Sequence, residues 1–325
     1  MALEFYNMSQ SYMAKCPGSL MIMGEHAVLY GKPAIVMAIR KGLTVTLELE
    51  PVSPGKRQQI IIDTLLDKKI YFQKELANLN IEAPLEYILT VLNYFKEKLL
   101  NYPYNYKFTI NSEINLNFGL GSSAAVTAAT TKVILQFLQH HSAIAHFSND
   151  DILSIGHEAI TKVQGRGSGA DLAASIYEGV LWYEMQDFRV EKIIDSLPIV
   201  AIYCGYKLST KHVIARMEMT KDEPDKFAMY TDIFNMISAL TKEAKIAIRD
   251  QNWKKLGELF NLHYGMQEAL GLSDKNLANL IYQLRDDASI LGAKISGSGL
   301  GDCVIGLANG AISLENINIK NSFIP

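Results

Sequence analysis

Cysteine is scarce in this chain, and the three present, Cys16, Cys204 and Cys303, lie far apart with no C-x-x-C spacing. That argues against both a disulfide framework and a zinc knuckle, and fits a reducing compartment. Charge of either sign is not in excess: the net charge is −3 and the isoelectric point near 6.2. Without a basic field, nucleic acid is not an expected partner. No uninterrupted apolar run reaches membrane-spanning length. The first residues, Glu4 among them, carry no basic-then-apolar leader pattern. The expectation is a cytoplasmic protein that meets small molecules, with neither membrane nor nucleic acid as partner.

Several catalytic signatures are missing as well. No glycine-x4-Gly-Lys-Ser/Thr loop occurs anywhere. His157-Glu158 begins an H-E-x-x-H pattern, but Thr161 stands where the second histidine belongs, which excludes a zincin. Internal repeats and low-complexity tracts are absent too. With 325 residues, of which 49% are hydrophobic, the chain is long enough for two domains or one large one.

What is present centres on Gly119-Leu120-Gly121-Ser122-Ser123-Ala124, a glycine-rich turn opening a helical pattern that runs to about His140. Its glycines permit a tight bend, and the helix start aims unpaired N–H groups and a positive dipole end at one point, which suits a phosphate. The same residues fit a dinucleotide fingerprint, which expects an acidic residue about 20 positions on. The window His140 to Ile144 has none, and an ordinary capped loop is the simpler alternative.

The rest of the chain alternates strand and helix signals. Ser11 to Met23 reads as short extended pieces broken at Pro17-Gly18, and Ala34 to Glu50 as a strand. Pro84 to Leu100 shows helical spacing, and Tyr106 to Ile114 a strand that feeds the glycine turn. A helix capped by Asn149-Asp150-Asp151 carries Ile152, Ile155, Ile160 and Val163 on its apolar side. It ends in Gln164-Gly165-Arg166-Gly167-Ser168-Gly169, just before Asp171. A domain boundary is expected between Gln186 and Pro198, which divides the chain at 1–190 and 191–325. From Pro224 to Leu291 the pattern is helical, in pieces separated near Asn252 and Gly271. Two β-like segments follow, around Ser296 to Asp302.

Glu158 and Asp171 flank the second glycine-rich segment and are able to converge on whatever the first one holds. Phosphoryl transfer needs such parts: backbone donors for phosphate oxygens, oxygen ligands for Mg²⁺, and a carboxylate beside the attacking hydroxyl. In that scheme Ser122 or Ser123 with Glu158 holds the metal and Asp171 is the base. Read singly, Glu158 as a solvated helix residue and Asp171 as a helix cap are equally plain alternatives. His26, in the loop Gly24 to Gly31, is a further candidate for ligand contact. So is the group Lys207, Ser209, Thr210 and Lys211 after a strand end.

Three segments together resemble the GHMP small-molecule kinases: Cys16-Pro17-Gly18 through Gly24-Glu25-His26-Ala27-Val28 to Gly31, then Gly119 to Ala125, then Lys294 to Gly301. The resemblance implies a two-domain α/β (α+β) fold with a ribosomal-protein-S5-like first domain and a ferredoxin-like second. It implies ATP and Mg²⁺, with Gly119, Leu120, Gly121, Ser122, Ser123 and Ala124 binding nucleotide and Ser123 and Glu158 the metal. Asp171 becomes catalytic, and Glu25, His26, Ser209, Thr210, Gly297, Ser298 and Gly299 substrate-binding. Gly-Glu-His-Ala-Val followed by Gly31-Lys32-Pro33 is similar to the mevalonate kinase branch, so the implied activity is an ATP:alcohol phosphotransferase acting on mevalonate or a related acid in isoprenoid precursor synthesis. Gln164 to Ala174 is similar instead to phosphomevalonate kinases, with Arg166 suited to an extra phosphate. Ser19 stands where the family has a lysine, and Leu300 where glycine is usual. A binding protein that kept the fold and lost the chemistry is therefore an alternative, and no residue pattern selects an oligomeric state, a homodimer included.

Overall fold

An 18-residue strand, β2 (Ala34–Pro51), is the spine of the first half of the chain. Along its second part Leu43, Val45, Leu47 and Leu49 are buried while Thr44, Thr46 and Glu48 are only half-buried, the period of two that a sheet with one covered face requires. In the computed structural model, which describes residues 11–65, 69–115, 118–206, 208, 213, 223–310 and 322–325, β2 is flanked by β1 (Ser11–Met23) on one side. On the other it pairs with β5 (Tyr104–Ser112) and then β6 (Val180–Glu184). With β3 (Gln59–Leu65), β4 (Lys69–Glu75) and β7 (Arg189–Ile194) these make a seven-stranded sheet.

β1 is one strand, not the broken pieces expected from Pro17-Gly18. The proline pair is absorbed as a register shift between Pro17 and Ser19, a bulge that costs ladder bonds locally without ending the strand. β4 and β7 had no signal strong enough to be read. β7 spans residue 190, and its antiparallel register with β6, Glu184 opposite Arg189, keeps it in the first sheet. The crossing to the second half falls between Ile194 and Ile199.

Against the first sheet lie α2 (Ser122–His140) and α4 (Ala170–Tyr177), with α1 (Glu86–Leu100) and α3 (Asn149–Gln164) packed on α2 and on each other. The α3 cap is Ser148, one residue before the acidic cluster, in a capping box with Asp151. The second half is a four-stranded antiparallel sheet ordered β11 (Ser322–Phe323), β8 (Ile199–Tyr203), β10 (Cys303–Ala308), β9 (Ile290–Ser296). The helices α5 (Pro224–Arg249), α6 (Trp253–Ala269) and α7 (Lys275–Asp286) complete it. This is a mixed α/β, two-domain architecture. One apolar core continues across both halves, from Leu47 and Phe108 through Ile199 and Phe260 to Ile305, so the seam between them is fixed and a cleft opens along it. Among the described residues no helix is long and apolar enough to cross a membrane.

Candidate active site

The glycine turn ends where α2 begins, with Gly121 at φ +68 in the left-handed region, so the first turn of α2 presents its N–H groups outward. Gly119 and Gly121 are required by space as well as by backbone. A Cβ on Gly119 would lie 2.3 Å from Asp302 Oδ1, and one on Gly121 would lie 2.0 Å from Ser19 Oγ. Gly119, Gly121, Ser122 and Ser123 line a cleft of about 950 Å³ including its open mouth. Leu120 and Ala124 do not line it. Leu120 is buried in the core and contributes only its carbonyl, which accepts from the Ser19 N–H at 3.0 Å, and Ala124 packs inside α2.

Asp171 sits in the first turn of α4 and opens on the same cleft. Its Oδ1 accepts a 2.7 Å hydrogen bond from Ser19 Oγ, a side chain 1% exposed. Gly169, at φ +80, caps α4, and the segment before it is held by Tyr183 Oη donating to the Ser168 carbonyl at 2.6 Å and by His157 Nε2 donating to that of Gly167 at 2.9 Å. Gln164 and Arg166 also line the cleft. Arg166 donates from Nη2 to the Leu29 carbonyl and lies with its guanidinium 5.0 Å over the Tyr30 ring, which fixes a planar cation at the cleft edge.

Glu158 is not in the cleft. It is exposed on α3, whose packed stripe is Ile152, Leu153, Gly156, Ala159 and Ile160. A Cβ on Gly156 would already meet Leu172 at 2.7 Å, so that stripe is pressed against α4 and Glu158, two residues on, turns to solvent. The expected pairing of Ser123 with Glu158 on a metal is therefore not assembled. Among the described residues, the carboxylates lining the cleft are Glu25, Asp171 and Asp302. Asp302 was missed in the sequence, where an acid closing the glycine run Ser296 to Gly301 was the available signal.

Glu25 and His26 line the cleft but are spent on the seam. The Lys294 ammonium, from β9, pairs with Glu25 Oε1, and His263 Nε2 lies 3.5 Å from Oε2, all of these side chains being buried. Burial raises the Glu25 carboxyl and lowers the Lys294 ammonium, each against the attraction of the other. Burial also pushes the His26 imidazole down to about 4, so it is neutral and its Nε2–H donates to the Ser298 carbonyl at 2.8 Å. Gly297 and Ser298 reach the cleft, whereas Gly299 packs on the Leu272 carbonyl behind it. Ser209 and Thr210, with Lys207 and Lys211, lie outside the described residues. Lys15, the nearest lysine to position 19 along β1, is engaged at the surface by Glu113 at 2.9 Å. Leu300 is held at φ +53, a left-handed backbone that accounts for glycine being usual there.

Behind the serines is an apolar recess lined by Leu43, Leu85, Tyr87, Ile88, Ile110 and Val126, with Ser122 and Ser123 on its rim. Nothing in the local sequence marked it, because its walls come from β2, β5, α1 and α2. The two serines thus border both an apolar recess and a polar cleft that contains Asp171, a pair of sites joined at a helix N-terminus.

The chain is similar to known proteins along most of its length. Residues 86–179 match the family model described as GHMP kinases N terminal domain, and 237–317 match GHMP kinases C terminal. The mevalonate kinase of Pyrococcus abyssi is 32% identical over 93% of this chain and 90% of its own length. That of Saccharolobus solfataricus is 31% identical over 90% of this chain and 88% of its own. Among solved structures, the Methanococcus jannaschii mevalonate kinase superposes with a TM-score of 0.71 at 25% identity, covering 94% of this chain and 92% of that one.

Proposed function

The chain belongs to the GHMP kinase family, and on that premise we propose that it transfers the γ-phosphoryl group of ATP to the primary alcohol of mevalonate. The observation that carries the reading is the junction at Ser122 and Ser123: one nucleotide can lay its base in the apolar recess and its phosphates across the start of α2, ending beside Asp171. In the transfer, Asp171 accepts the proton of the acceptor hydroxyl as its oxygen forms a bond to the γ-phosphorus. The bond from that phosphorus to the β,γ-bridging oxygen breaks, and ADP leaves with the electron pair. The turn at 119–123 supplies fixed N–H donors where charge grows, and the cleft wall fixes the orientation of the acceptor.

Mg²⁺ fits the donors available. Among the described residues no cluster of three ligating side chains occurs, but this cation is usually held by one or two protein oxygens together with phosphate oxygens. The Ser122 or Ser123 hydroxyl with the Asp302 carboxylate would hold it, and when bound it neutralises phosphate charge. The acid end of the acceptor is matched by Arg166, the cation fixed on the cleft wall. Arg166 also favours a second reading, in which the acceptor is phosphomevalonate and the arginine meets its phosphate.

An ADP-release assay tests both. Turnover with mevalonate at millimolar concentration is expected, and Asp171→Asn should lower kcat by about 10²- to 10⁴-fold while ATP still binds. Turnover with phosphomevalonate alone, and a loss of it in Arg166→Ala, would replace the first reading by the second. No turnover with either, despite ATP binding, would overturn the kinase assignment.

A further inference from the structure

The bond between Ser19 and Asp171 belongs to a larger device. Ser19 stands immediately after the β1 bulge, where the alternation of the strand is reset. Its backbone N–H donates to the Leu120 carbonyl in the glycine turn at 3.0 Å, and its Oγ approaches Gly121 so closely that residue 121 has no space for a Cβ. The same Oγ donates to Asp171. Four residues on, Ser175 donates from its Oγ to the Pro17 carbonyl at 2.8 Å. Asp171 and Ser175 are one helical turn apart and share a face of α4, so two hydrogen bonds to the bulge set both the rotation and the height of that helix.

We infer that Ser19 is a positioning residue for the transfer, a buried hydroxyl that holds the Asp171 carboxylate at a constant distance from the turn at 119–123. The inference rests on the reading of Asp171 as the base and not on which acceptor it serves. A base in phosphoryl transfer must meet the acceptor oxygen while that oxygen meets the γ-phosphorus, and misplacement by about 1 Å can cost on the order of 10²-fold. Ser19 reaches both partners of that geometry at once, one through its backbone and one through its side chain. A hydroxyl donating to a carboxylate also favours the charged form, which is the form able to take a proton. Here a neutral donor does so without a cation at position 19. Among the described residues, the other charged or titratable groups lining this cleft are Glu25, His26, Arg166 and Asp302.

The test compares Ser19→Ala with Ser175→Ala, after thermal melts have established that each folds. Ser19→Ala is expected to lower kcat by about 10- to 100-fold, less than loss of the base, with KM for ATP and acceptor within about threefold. Its kcat/KM profile should show the acidic limb moved to higher pH, because a donor to the charged carboxylate has gone. Ser175→Ala should leave that limb where it is, since it loosens α4 without touching the carboxylate. A kcat equal to that of the unaltered protein would overturn the inference, and so would a fall in kcat with an unmoved limb, which is the mark of a packing defect. If the protein turns over no acceptor, the proposed function fails separately, and the inference is then read by carbon NMR of the Asp171 carboxyl, assigned with Asp171→Asn. A titration moved to higher pH in Ser19→Ala supports it, and an unmoved one ends it.

Discussion

At the scale of single residues, charge inside the cleft has to be supplied by groups that face it. Glu158 points to solvent on α3, while Asp302 is 4% exposed and stands against Gly119. Glu158→Gln is therefore expected to change kcat by less than about twofold and stability by under about 0.5 kcal/mol, as for a surface change away from any buried feature. Asp302→Asn should instead raise the Mg²⁺ concentration for half-maximal rate. A magnesium titration of the two variants decides it: a shift in Glu158→Gln with none in Asp302→Asn would return the metal to α3. Asp171 and the glycine turn were legible because their signals are local, a positive φ that glycine permits and a carboxylate in the first turn of a helix. The facing of Glu158 was not, because α3 packs through Gly156 and Ala159, small residues that a search for Ile and Leu at helical spacing passes over.

At the scale of elements, the second half is set by a contact that small residues make possible. Gly257 on α6 and Gly292 on β9 meet backbone to backbone, a Cβ on Gly257 falling 2.5 Å from the Leu291 carbonyl oxygen and one on Gly292 falling 2.1 Å from that of Gly257. Alanine in a helix is ordinarily favoured over glycine by about 1 kcal/mol. Here the opposite sign is expected, Gly257→Ala destabilising by about 2 kcal/mol through overpacking that neither backbone can relieve cheaply. Denaturant unfolding measures it, and a more stable variant would show that α6 can back away from the sheet. This closeness matters to the site because β9 carries Lys294 and ends at Ser296, whose Oγ donates to the Met21 carbonyl at 2.9 Å. The helices of both halves were readable from their period, as was β2 from its alternation. β4 and β7 were not, since each is a half-exposed strand whose identity comes from the register of its neighbour.

At the scale of the whole molecule, the cleft exists because two halves are locked along a buried polar seam. Across it lie the pairs Glu25–Lys294 and His26–Ser298 and the hydrogen bond from Ser296 to Met21. The sequence showed the residues of this seam but not their pairing, which joins positions more than 260 apart. Its chemistry makes the joint sensitive to acid. His26 is neutral when folded, held down to about 4 by burial, and takes a proton near its ordinary value of 6.5 once unfolded. Between those values the unfolded chain binds more protons, so stability falls as pH is lowered through 6.5 and continues to fall toward 4. From pH 7 to pH 5 the loss from this one group is about 2 kcal/mol. His263, also lowered by burial, adds to it, whereas Glu25, raised by burial, works the other way. Unfolding free energies of the unaltered protein and of His26→Gln, each measured at both values, isolate the term by difference. The variant should lose about 2 kcal/mol less on acidification. Equal losses in the two would mean that His26 already takes up its proton in the closed seam, and that the bond to Ser298 does not depend on a neutral ring.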